Sequence, residues 1–149
     1  PTVYERYKAW ADDYFYLPHR NETRGVGGIF FDHLVPESDE DRIKIFDFCL
    51  ALGRNFPVLY KDQTSEIHPE ATQVQVDWQA LRRSRYVEYN LLFDRGTKFG
   101  NVSNGRTESI LLSMPPSATW KYNYVPDAGS EEEQTIERLK KHVDWISFL

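Results

Sequence analysis

The stretch "RYVEYNLLFD", Arg85 to Asp94, alternates with period two. Val87, Tyr89, Leu91 and Phe93 fall on one face, and Glu88, Asn90, Leu92 and Asp94 on the other. That is the pattern of a half-buried strand. A short turn-rich connection with Gly96, Gly100 and Gly105 follows, and then a second apolar run, "TESILLSM". Two such runs pair as a long antiparallel hairpin. "VGGIFFDHL" reads as a further strand, whose glycines let another backbone or a flat ligand approach closely. Three strands make a thin sheet, so the pattern suits the back half of a larger one.

Helical signals fill the rest. Val3, Tyr7, Trp10, Tyr14 and Phe15 share one helical face, which predicts a helix from Thr2 to Leu17 ended by Pro18. Ser38 is a fitting N-cap with Asp39, Glu40 and Asp41 in the first turn. Ile43, Phe46 and Leu50 form the apolar stripe of that helix, which kinks or restarts at Pro57 and reaches Lys61. "TQVQVDWQALRR" reads as a third helix. The last runs from Pro126 to the C-terminus, with Ser130 and Glu133 spaced as a capping box. The order is helix, strand, helix, helix, strand, strand, helix, in a single α+β domain over residues 1–149.

Charge separates along the chain. Between Gln79 and Glu108 stand Arg82, Arg83, Arg85, Arg95, Lys98 and Arg106 against Glu88, Asp94 and Glu108. That stretch carries +3, so the remainder carries -8 of the net -5. Such a patch suits an anionic partner. A pI near 5.4 argues against nucleic-acid binding. The lone Cys49 excludes an internal disulfide and, within "IFDFCLAL", reads as a buried inert thiol in a reducing compartment. No run of 18 apolar residues is present to span a membrane. The chain opens on Pro1 and enters a helical pattern almost at once, as the interior of a longer polypeptide would.

The chemistry-bearing residues are few. "RGVGGIFF" lacks the aromatics of an RNA-recognition strand, and its glycines do not stand between a strand and a helix as a dinucleotide site needs. His19 and His33, beside Asp13, Glu22 and Asp32, are candidate metal ligands, but no metal-binding spacing is present; His19 equally serves as a helix end. Arg83 or Arg85 holds either a structural or a ligand role. Asp94–Arg95 suits a pocket in which an acid accepts ligand N–H groups and a guanidinium clamps a carboxylate, or else a simple turn.

"WADDYFYLPHRNETRGVGGIFFDHL" and "LRRSRYVEYNLLFDRGTKFGNVSNGRTESILLSMPPSATWKY" together resemble the oxygen-dependent coproporphyrinogen III oxidases. The resemblance continues to "VDWI" and is loose only over residues 39–80. It is a resemblance to the family's C-terminal half. It implies an antiparallel sheet flanked by helices on both faces, usually in a homodimer, with Tyr86 to Lys121 matching the dimerisation region. The activity implied is oxidative decarboxylation of coproporphyrinogen III to protoporphyrinogen IX by molecular oxygen in heme biosynthesis. No cofactor is required, though some members use a divalent metal. Members occur in the cytoplasm, in plastids or in the mitochondrial intermembrane space.

By the same resemblance Asp94 and Arg95 match the pair acting at the substrate. Asn104, Gly105 and Arg106 match the substrate-contacting segment, and His19 a metal ligand of some bacterial members. The substrate's four carboxylates and four pyrrole N–H groups would answer to arginines and an aspartate. Ser84 stands where members usually have Gly, Asn104 where Gly is common, and His33 in place of an acid. A chain holding half a pocket is expected to be inactive alone. The alternative is a tetrapyrrole-binding or dimerising module without catalysis.

Overall fold

The computed structural model describes residues 2–27, 30–65 and 70–148. The chain divides into two units: residues up to 30 together with those from 72 onward, and Phe31–Ala71.

The first unit opens with α1, Val3–Tyr14. Thr2 caps it, its Oγ1 accepting from the Glu5 N–H while the Glu5 carboxylate accepts from the Thr2 N–H. The helix stops short of Leu17 because Pro18 disfavours helical backbone at the residue before it. Instead β1 (Tyr16–Leu17) pairs antiparallel with β2 (Glu22–Thr23), Tyr16 opposite Thr23 and Leu17 opposite Glu22. Asn21 turns the chain at φ 53°.

The long helix of this unit is α3, Gln73–Leu92, which Thr72 and Gln75 open with a full capping box. It takes in the stretch predicted as a strand from Arg85 as far as Leu92, with Phe93 as its C-cap. Its buried residues are Leu81, Ser84, Arg85, Glu88 and Tyr89, with Asn90 beside them. Spacings of three and four mark a helical stripe. Leu91 and Leu92 lie outside it, 53% and 52% exposed. The alternation was misleading because the face that α3 buries is largely polar. After it come α4 (Arg95–Val102) and α5 (Thr107–Leu111), so the second predicted strand is also helical at its start.

α6 covers Glu131–Arg138 only. Ser130 Oγ accepts from the Glu133 N–H as predicted, but the Glu133 carboxylate accepts from the Gly129 N–H. The chain then turns at His142, φ 64°, and ends in a short 3-10 helix, Trp145–Phe148. The break lets the Leu139 carbonyl accept from both the N–H and the hydroxyl of Thr23, which ties α6 to β2.

Tyr7, Ala11, Leu17, Leu81, Tyr89 and Leu139 form the core. Phe30 extends it by stacking on Tyr14 at 4.5 Å between centroids. The expected strand over 26–34 is not formed at the described residues; Gly28 and Ile29 lie outside them.

In the second unit α2, Asp39–Ser65, starts at Ser38, whose Oγ accepts from the Asp41 N–H, and continues through Pro57. None of its residues is buried within the chain. Cys49 is therefore exposed, contrary to the buried thiol expected. Among the described residues the elements are six α-helices, the 3-10 helix and one two-stranded antiparallel sheet. This is α+β in the broad sense. No helix described is long and apolar enough to cross a membrane.

Candidate functional site

The polar face of α3 meets β1–β2 in an ion-pair cluster. Glu88 is at its centre, its side chain 10% exposed. Oε2 accepts from Arg20 Nε at 3.0 Å and faces His19 Nε2 at 3.1 Å. Oε1 accepts from Arg20 Nη2 at 2.5 Å and from Trp120 Nε1 at 2.9 Å. Arg85 Nη1 stands 3.6 Å away. Burial alone would raise the Glu88 pKa. The hydrogen bonds from Arg20 and His19, with the charges of Arg20 and Arg85, more than reverse this and hold it at about 2. Glu22 is the second acid: its Oε1 accepts from Arg82 Nη1 at 2.8 Å and lies 3.3 Å from Arg85 Nε.

Ser84 is fully buried. Its hydroxyl donates to the Leu81 carbonyl at 2.6 Å and accepts from Arg85 Nη1 at 3.0 Å. It therefore helps to aim Arg85.

Asp94 begins the next segment, as the N-cap of α4 rather than the end of a strand. Its Oδ2 accepts from the Thr97 N–H at 2.6 Å. Among the described residues Oδ1 takes no hydrogen bond. The α4 dipole favours the negative charge at this end. Together with Tyr14, Asp94 pushes up the pKa of the Tyr89 hydroxyl, after the larger effect of burial. Arg95 is exposed, its guanidinium 5.9 Å from the centroid of Tyr14.

Asn104, Gly105 and Arg106 lie between α4 and α5. Asn104 has φ 58°, the left-handed region that Asn enters more readily than most residues. The Gly105 N–H donates to the Gly100 carbonyl at 3.1 Å. A Cβ on Gly105 would come 2.9 Å from that oxygen and 3.3 Å from Ile110 Cδ1. Arg106 is 80% exposed and only 3.6 Å from its neighbour Glu108. The candidate pair Asp94–Arg95 and the segment Asn104–Arg106 thus lie at the two ends of α4. Its eight residues, at 1.5 Å each, separate them by about 12 Å.

His19 is not part of either group. It faces Glu88 and stacks on Phe93 at 6.0 Å. The guanidinium of Arg20 holds the same carboxylate, and the described residues include no group of three or more His, Cys, Asp or Glu able to hold a metal ion. The donor set around His19 is that of an ion-pair cluster and does not fit a divalent metal. Asp13 pairs with Lys141 at 2.8 Å. His33 is exposed, 3.8 Å from Asp32. The central part of Glu88 had no signal in the sequence beyond its polarity, because its partners come from β1–β2 and from Trp120.

Sequence comparison makes the class definite: residues 1–145 match the profile of the coproporphyrinogen III oxidase family, and the chain belongs to that family. It is 50% identical over 147 residues to the oxygen-dependent coproporphyrinogen-III oxidase of Francisella tularensis subsp. holarctica strain OSU18. It is 49% identical to those of subsp. mediasiatica strain FSC147 and subsp. tularensis strain SCHU S4. Each match covers 97% of this chain and 46% of the relative. The chain thus spans about half the length of the curated relatives it matches.

Proposed function

We propose that the full-length protein carrying this chain oxidatively decarboxylates coproporphyrinogen III to protoporphyrinogen IX with molecular oxygen, in heme biosynthesis. The observation that carries this is 50% identity, across nearly the whole chain, to a relative named for that oxygen-dependent activity. Each of the two propionates that react becomes a vinyl group and carbon dioxide with loss of a hydride equivalent. Oxygen takes up that hydride and a proton to give hydrogen peroxide.

In this reading the chain is the C-terminal portion of one catalytic domain, its helices flanking a sheet built with the rest. Asp94 does the central work. Oδ2 is anchored by Thr97, which leaves Oδ1 to accept a pyrrole N–H and draw its proton as the ring becomes electron-rich. Exclusion of water is needed for a carboxylate to act on so weak an acid. Arg95 holds the reacting propionate, and Asn104, Gly105 and Arg106 receive a second carboxylate across α4. Leu91, Leu92, Phe99, Val102 and Leu112, all exposed, support a homodimer through residues 86–121, which sedimentation of the full-length protein reads directly. An exposed lone thiol suits the cytoplasm.

The test replaces Asp94 in the full-length protein and follows protoporphyrin fluorescence from anaerobically prepared coproporphyrinogen after admission of oxygen. Asp94→Ala loses both the cap, worth ~1 kcal/mol, and the carboxylate. Asp94→Ser keeps a capping oxygen. Stability near wild type with turnover lost in Asp94→Ser supports the assignment; wild-type turnover in Asp94→Ser overturns it.

A further inference from the structure

Gly96 is the second residue of α4, and its backbone is ordinary helix, with no positive φ to ask for a glycine. In such a place glycine is a poorer choice than alanine, since it gives up more conformational freedom on folding. What a side chain would meet supplies the reason. A Cβ on Gly96 would stand 3.2 Å from Asp94 Oδ2, closer than ordinary van der Waals contact. Among the described glycines it alone would set a Cβ against a carboxylate.

That oxygen has little room to retreat. Oδ2 accepts from the Thr97 N–H at 2.6 Å, and Thr97 is buried. To clear a Cβ it must lengthen this bond or turn away from it. The two oxygens of a carboxylate turn together about the Cβ–Cγ bond, so any displacement of Oδ2 re-aims Oδ1. We propose that Gly96 is a positioning residue for the reaction. By carrying no side chain, it lets the Asp94 carboxylate lie against the start of α4 with Oδ1 held where a substrate N–H meets it. This rests on the role proposed for Asp94. Gly96 acts through that carboxylate and need not touch the substrate. Small displacements count here, because a group that takes a proton must stay within hydrogen-bond reach in a productive geometry.

The experiment makes Gly96→Ala in the full-length protein, alone and combined with Asp94→Ser, and measures steady-state turnover of coproporphyrinogen and the thermal midpoint. Gly96→Ala is expected to fold with a midpoint near wild type, the better helix former offsetting the strained cap. It is expected to lose about tenfold in kcat with KM little changed. In the Asp94→Ser background the same substitution is expected to raise the midpoint. The serine side chain ends one atom short of the carboxylate oxygens and leaves room for the methyl group. Gly96→Ser brings the same Cβ and is expected to lose kcat as Gly96→Ala does. Wild-type kcat in Gly96→Ala overturns the proposal. So does a midpoint change that is the same in both backgrounds, since the two residues would then not be coupled. The midpoints do not depend on turnover. Failure of the Asp94 reading, seen as wild-type turnover in Asp94→Ser, is thus told apart from failure of this contact.

Discussion

Glu88→Gln removes one charge from the ion-pair cluster and almost nothing else. The amide keeps the shape of the carboxylate and one oxygen to accept from Arg20 or Trp120. The folded protein holds Glu88 at about 2, against 4.5 ordinarily, despite its burial. At ~1.4 kcal/mol per decade, that preference for the charged form contributes about 3 kcal/mol to stability at neutral pH. Glu88→Gln should forfeit it. The sign follows from the direction: a depressed acid stabilises the fold above its unfolded value and loses that contribution as pH falls through its folded value. The gap between wild type and variant should be full at pH 7, near half at pH 3 and small at pH 2. Urea unfolding of both proteins across this range measures it. A gap below about 1 kcal/mol at pH 7, or one unchanged at pH 3, would show that Glu88 does not hold the cluster.

Two further tests concern the α4–α5 segment and α2. Gly105→Ala should lower stability by ~1–3 kcal/mol, because its Cβ meets the Gly100 carbonyl, which cannot rotate away. Gly100→Ala should cost less, since its Cβ meets the tip of Ile110 at 2.9 Å; thermal unfolding in which Gly100→Ala is the worse variant contradicts the packing. Cys49 should react completely with an aromatic disulfide reagent in the native protein, and a thiol silent until denaturation contradicts its exposure.

Most helix starts capped by a side chain were legible: Thr2, Ser38 and Ser130 all sit where the sequence put a boundary, whereas the Asp94 cap of α4 was read as a strand end. The positive φ of Asn104 explains why an Asn can stand where glycine is common. The predicted strands failed for a common reason. Hydrophobic periodicity reports what an element buries only when that face is apolar, and α3 turns Ser84, Arg85, Glu88 and Asn90 inward. Their polarity, alternating with apolar residues, made the helix look like a half-buried strand. The Glu88 cluster was hidden by distance, since His19 is 69 residues away along the chain. The role proposed for Asp94 and Arg95 rests on family resemblance. Spacing alone had left turn and pocket equally open, and the cap to Thr97 shows that Asp94 serves the local turn in any case.

Beside the acid-sensitive cluster, β1–β2 has a second hold on the helices. The guanidinium of Arg24, the residue after β2, lies 4.1 Å from the centroid of Phe15, 4.7 Å from Tyr86 and 5.2 Å from Tyr89. No carboxylate takes part, so acid has nothing there to neutralise. The strand pair is thus fastened by contacts of different chemistry, since the Leu139 carbonyl also accepts from the N–H and hydroxyl of Thr23. Protonation of Glu88 releases its ion pairs and leaves the other contacts closed. In acid the hairpin should stay beside Tyr86, Tyr89 and Leu139 while the turn bearing His19 and Arg20 loosens from Glu88. Exchanging Arg24 for lysine would keep the charge and surrender the flat surface that grips three rings.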